Sequence, residues 1–154
     1  MRVKSKRDME ESIVLFETAK LAKEKGFKWK TLDSFYKMTF EEIWKSNSRE
    51  KHGEFIDWNT ETISVPKNNI SRPTQSLLQK WLREVHKSDI TVITDWKKGV
   101  RVYYVGLSFI NKTNEIDIWF SIADDKNKIE YKHYEQALEI GLQEALKLIE
   151  TTTP

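Results

Sequence analysis

Apolar positions are patterned in the second half of the chain and scattered in the first. Between residues 71 and 86, Leu77, Leu78, Trp81, Leu82 and Val85 fall on one face at the 3.6-residue period of a helix. Gln75, Gln79, Lys80, Arg83 and Glu84 take the other face. Pro73 suits the first helical turn, where a missing N–H leaves nothing unpaired. Ser71 or Arg72 is then expected near the N-cap, Ser71 being the better capper because its hydroxyl can accept an orphan amide. His86 ends the run, where a cation suits the helix dipole.

After His86 the period becomes that of strands. Residues 89–96 read as one strand, residues 97–99 (Lys-Lys-Gly) as a turn, and residues 100–110, rich in Val and Tyr, as a longer strand. Residues 115–122 alternate strictly: Ile116, Ile118, Phe120 and Ile122 share one face, and Asp117, Trp119 and Ser121 the other. Short connections make the three strands an antiparallel meander. A last helix is expected at about residues 134–149, with Ala137, Gly141 and Ala145 at steps of four along its apolar arc. A mid-helix glycine costs about 1 kcal/mol relative to alanine, so Gly141 points to close packing on another backbone.

The first half is less regular. Residues 12–25 read as a helix with Val14, Thr18, Leu21, Ala22 and Lys25 on one arc, closed by Gly26 with Phe27 packing back. Phe27, Trp29, Phe35 and Tyr36 suggest one or two strands. Thr39 and Glu42 have capping-box spacing, with Met38 and Ile43 placed as a staple, so a short helix through Trp44 is expected. Residues 46–53 read as a polar loop, residues 54–58 and 62–65 as short strands, and residues 66–70 as a linker.

The expected fold class is therefore α+β: a three-stranded antiparallel meander backed by two helices, in the order α-β-β-β-α over residues 71–150. Residues 1–70 supply an N-terminal helix and an irregular or short-stranded segment packed on it. At 154 residues the whole is expected to be a single domain with a core of its own.

Composition narrows the function classes. Charged residues make up 32% and aromatic residues 12%, which describes a water-soluble chain with rings to spare for a core or a partner. The net charge of +2 is too balanced to argue for nucleic acid. Its distribution is polarised: residues 1–30 hold nine basic and five acidic groups, residues 133–154 one basic and four acidic. Cysteine is absent, which removes disulfides, thiolate nucleophiles and Cys-based zinc sites. No secretory leader and no membrane span are visible, so a cytoplasmic setting in a bacterial host cell is expected.

Three blocks carry a resemblance. Residues 16–27 (FETAKLAKEKGF), 73–86 (PTQSLLQKWLREVH) and 134–149 (YEQALEIGLQEALKLI) together resemble a family of small, uncharacterised proteins of Bacteroidales phages and prophages. The resemblance implies a phage-encoded protein and carries no catalytic chemistry; residues 28–70 lie outside it.

Two groups of residues are candidate binding sites. Tyr103, Leu107 and Trp119, with Val105, share one face of the meander. With both long helices expected on the opposite face, this apolar face requires cover from residues 12–66, a second copy or a foreign protein. Lys97, Lys98 and Arg101 cluster at one hairpin beside Trp96, Tyr103 and Tyr104, and Arg2, Lys4, Lys6 and Arg7 crowd the N-terminus. Cations interleaved with aromatics can grip and stack a nucleic acid. The same hairpin is also ordinary turn chemistry with soluble lysines. The strand–helix order evokes double-stranded-RNA-binding domains, but the last helix opens on Tyr134-Glu135 and carries Glu139 and Glu144, the wrong sign for phosphate.

No catalytic residue is assigned. His52, His86 and His133 are scattered, and no metal or cofactor is expected. Asp124, Asp125 and Asn127 lack the glycine and the final glutamate of a calcium loop. No serine sits in a nucleophile elbow. The leading expectation is a non-enzymatic module that binds a host or phage protein, or itself. The alternative is a nucleic-acid binder using the basic N-terminus and the Lys97–Arg101 hairpin.

Overall fold

The protein is mixed α+β. Its structure, a computed structural model, describes residues 11–37, 44–48, 56–60, 69–110, 116–120 and 129–149. The described elements run α1 (Phe16–Glu24), β1 (Asp33–Lys37), β2 (Trp44–Ser48), β3 (Asn69–Arg72), α2 (Gln75–His86), β4 (Ser88–Lys97), β5 (Val100–Ile110), β6 (Ile116–Phe120) and α3 (Tyr134–Leu148). They include two antiparallel sheets, one ordered β2-β1-β3 and the other β4-β5-β6.

α1 begins four residues later than its periodicity suggests. Residues 12–14 are extended and run beside residues 73–75, with Val14 N–H donating to Pro73 O at 3.1 Å and Gln75 N–H to Ser12 O at 2.8 Å. The helix ends where glycine dictates. Gly26 adopts φ +86°; its N–H bonds Lys23 O at 3.0 Å, and Phe27 N–H bonds Ala22 O at 2.9 Å. This paired closure satisfies two orphan carbonyls and folds Phe27, fully buried, back under the helix.

The N-cap of α2 is Thr74 rather than Ser71. Its side-chain oxygen accepts Leu77 N–H at 3.2 Å, and Pro73 lies one residue before the cap. Ser71 instead belongs to β3, and its hydroxyl accepts Trp58 N–H at 3.1 Å. The expected linker at residues 66–70 thus ends inside a strand. The polar loop expected at 46–53 is corrected likewise, since Trp44–Ser48 forms β2 beside β1. Residues 39–42, proposed as a helix start, lie outside the described residues. Of the segment 54–58, Ile56 makes a single bridge to Thr31.

β4 and β5 form a ten-pair hairpin closed by Lys98 (φ 49°) and Gly99 (φ 79°). Both central residues have positive φ, the signature of a primed two-residue turn whose twist matches the strands. Past β6, Tyr131 makes a bridge with Tyr103, exchanging both backbone hydrogen bonds at 3.0 Å.

The faces of this sheet are the reverse of expectation. Gly141 of α3 sits directly over Val105 and Ile90, so the face carrying Tyr103, Val105 and Leu107 is the one the helices cover. A Cβ at position 141 would lie 2.7 Å from both Ile90 Cγ2 and Val105 Cγ1, which accounts for the glycine. The first half of the chain packs on the far side of the helices. Phe27 meets Trp81 edge-on at 5.3 Å, Lys25 Nζ donates to Ile149 O at 2.6 Å, and α1 contacts α3 and β3. α2 and α3 thereby form a middle layer between the β4-β5-β6 sheet and the N-terminal half. This explains why α3 is buried on two sides, with Ala137, Leu138, Glu139, Gly141, Leu142, Ala145 and Leu146 all inaccessible.

Candidate functional site

Leu107 is 3% exposed, and Tyr103 is half-buried with its ring 6.1 Å from Tyr134. Both are therefore core residues under α3 and not an open docking face. The register pairs Trp119 of β6 with Leu107 of β5. The apolar character of Tyr103 and Leu107 therefore serves packing within the chain.

Other apolar side chains of the same sheet are exposed. Along the inner side of β4 the burial falls away step by step. Ile90 is 4% exposed, Val92 is half-buried, Thr94 is exposed, and Trp96 is 61% exposed. The strand is longer than the helices that cover it, so its last turn and the start of β5 overhang the body as an arm. Val100, at 63%, and Ile93, at 40%, are exposed on the opposite face of the hairpin.

The hairpin cations gather on this arm. The register pairs Trp96 with Arg101, and the Arg101 guanidinium stacks 5.0 Å from the Trp96 ring centre, an exposed cation–π pair. Lys97 forms an ion pair with Glu130 and lies 5.8 Å from the Tyr104 ring. The Glu130 carboxylate, with Tyr104 adding to it, holds the Lys97 ammonium above its ordinary range. Lys97 is thus already paired with an anion. Lys98 occupies the left-handed turn position. Arg2, Lys4, Lys6 and Arg7 lie outside the described residues.

Glu130, Ile93 and Val100 escaped the sequence reading. Isolated Ile and Val in a strand pattern read as core, and nothing local ties Glu130 to a hairpin more than thirty residues earlier.

A second polar cluster is fully enclosed. Glu139, 5% exposed, receives Leu15 N–H at 2.8 Å and Thr18 Oγ1–H at 2.5 Å on Oε1, and Gln75 Nε2–H at 2.7 Å on Oε2. Gln143 Nε2 donates to Thr18 Oγ1 at 2.9 Å. Leu15 is the N-cap position of α1 and has no side-chain cap of its own, so a carboxyl from α3 caps α1. Both oxygens are occupied by neutral donors of this chain, an arrangement suited to joining three helices. Gln75 reads as an outer-face residue in sequence because it is polar at a plausible solvent position.

His86 lies at the end of α2 with its ring 4.5 Å from Trp81. Its Nε2 is buried with no hydrogen-bond partner among the described residues, and burial pushes its pKa below the ordinary value. Among the described residues no group of three His, Cys, Asp or Glu is placed to hold a metal ion, and no helix is long and apolar enough to cross a membrane. Comparison of the chain with known protein families, with curated proteins and with solved structures finds no match.

Proposed function

We propose that this chain is a non-enzymatic protein-binding module, a phage-encoded accessory protein acting in the host cytoplasm, and that it engages its partner through the β4–β5 arm. One observation carries the reading: the end of the β4–β5 hairpin leaves large apolar side chains bare on both faces, Trp96 at 61% on one and Val100 at 63% with Ile93 on the other. Large side chains left bare together mark contact surfaces more often than chance exposure does, and tryptophan and arginine are the residues that most often dominate binding energy. The stacked Trp96–Arg101 pair supplies both in one place.

The test compares the wild-type chain with an Ile93→Ser, Trp96→Ala, Val100→Ser variant in capture from Bacteroidales host lysate. A control variant, Val85→Ser, alters an exposed apolar residue on α2. Partners retained by the wild type and the control but lost from the arm variant support the reading; equal retention by all three removes it.

A second reading keeps nucleic acid as the partner, favoured by the exposed Arg101–Trp96 stack beside Lys98. Gel shifts at two salt concentrations decide it, because phosphate-driven binding weakens steeply with salt. Pairing of Lys97 with Glu130 reduces the positive field of the arm and speaks for the protein partner.

A further inference from the structure

We propose that β4 pairs antiparallel with β4 of a second copy, in a register centred on Thr94. The proposal rests on the reading of the arm as a protein contact and names the partner.

Among the described residues, β4 is an edge strand in the order β4-β5-β6. Which of its backbone groups face outward follows from its neighbour. Tyr103 uses its N–H and C=O on Tyr131, on the side away from β4. Thr94, directly opposite Tyr103, therefore sits at a non-hydrogen-bonded position of the hairpin, and its own N–H and C=O point away from β5. Val92, Trp96 and Ile90 share that parity. An independent contact agrees: the Gln79 side chain reaches the carbonyl of Ile90 from outside the sheet, at 2.8 Å.

These contacts bound the open edge on both sides. Gln79 occupies it at Ile90, and the Lys98–Gly99 turn ends it beyond Lys97. Between them lie Val92, Thr94 and Trp96, a stretch symmetric about Thr94. Among the described residues, Val92 and Thr94 have no hydrogen bond on that side. Trp96 N–H donates to the neighbouring Asp95 carboxylate at 2.7 Å, a local bond that pairing would replace. Exposed edges of this kind are templates for another strand.

The side chains favour a second copy over an unrelated strand. With Thr94 opposite the partner's Thr94, Trp96 falls opposite the partner's Val92, and the reverse contact repeats it. Threonine pairs and aromatic–β-branched pairs are both favourable cross-strand neighbours. Asp95 then faces the partner's Ile93, Lys97 faces the partner's Thr91, and Lys97 lies diagonal to the partner's Asp89, so no like charges oppose. The competing two-fold register, centred on Ile93, sets Trp96 against the partner's Ile90, whose carbonyl Gln79 already fills.

The chain contains no cysteine, so single thiols report the register directly. Under mild oxidation Thr94→Cys is expected to form a disulfide-linked dimer, because residues directly opposite across a hydrogen-bonded pair lie within bridging range. Ile93→Cys and Thr91→Cys are expected to remain monomeric. Light scattering on the wild type is expected to show a mass rising with concentration towards twice that of one chain. Thr94→Pro should abolish the rise while leaving circular dichroism and the unfolding midpoint close to wild type, since that N–H serves no bond within the hairpin. A wild-type mass that stays monomeric at every concentration overturns the proposal, as does a dimer indifferent to Thr94→Pro. Equal or faster crosslinking through Cys at position 93 overturns the register. A monomer that still captures a foreign protein through the arm loses only self-pairing; a monomer whose capture ignores the arm loses the underlying reading as well.

Discussion

Glu139 shows how much one side chain can organise. It takes two hydrogen bonds from the start of α1 and one from the start of α2. Glu139→Ala would strand those donors in a dry interior and leave a void. The expected loss is about 3 kcal/mol of stability, since each buried unpaired donor costs roughly 1–3 kcal/mol, and urea unfolding measures it. Glu139→Gln keeps the shape and one carbonyl oxygen, so its loss should be smaller. His86 makes a different prediction. Burial holds its pKa below the value of about 6.5 in an unfolded chain. The unfolded state therefore binds the proton first, and stability should fall as pH drops through about 6.5 towards the lowered folded value. Chemical denaturation at pH 7.5 and pH 5.5 reads this slope, and His86→Phe should flatten it.

At the scale of elements, close approach governs α3. Gly141→Ala gains about 1 kcal/mol of helix propensity but drives a methyl into Ile90 and Val105, both stiff at the colliding atoms. Overpacking of this kind costs roughly 1–3 kcal/mol, so a net loss near 1 kcal/mol is expected in the same unfolding assay. Thr74→Ala, which removes the α2 cap, should cost about 1 kcal/mol, whereas Ser71→Ala should act through β3 and its bond to Trp58 instead. The sequence made α2, α3 and the positions of β4 to β6 legible, because their apolar residues repeat at a helix or strand period. It hid β2 and β3: WKSNS lacks the alternating apolar residues of a strand pattern, and NISR carries buried Asn69 and Ser71 where alternation would place Val or Ile. It also hid which side of the second sheet is inward. Tyr103, Val105 and Leu107 form one plausible core row, but Val102 and Tyr104 form another on the opposite face, and only the seat of Gly141 decides between them. The Lys98–Gly99 turn was readable from residue type. The exposure of Trp96 was not, because it depends on β4 outrunning the helices above it.

On the scale of the whole molecule, the middle layer makes the two halves interdependent. α2 and α3 bury one side on the β4-β5-β6 sheet and the other on α1, Phe27 and β3. Neither half keeps its core if the other leaves. A single cooperative transition is therefore expected, with tryptophan fluorescence and far-ultraviolet dichroism tracing the same curve; two separated transitions would show independent halves.

The cap that α3 lends to α1 joins residues 124 positions apart. At a synthesis rate of about 5–20 residues per second, Leu15 and Thr18 leave the peptidyl-transferase centre on the order of ten seconds before Glu139 is made. Throughout that interval α1 has no carboxyl at its first amide, and the apolar faces of Val14, Ala19 and Ala22 have no α3 to meet. The order of translation thus runs against the order of assembly. The chain completes its native N-terminal half only as its last helix is released, and a nascent chain stalled before residue 139 holds an exposed apolar start for a chaperone to shield.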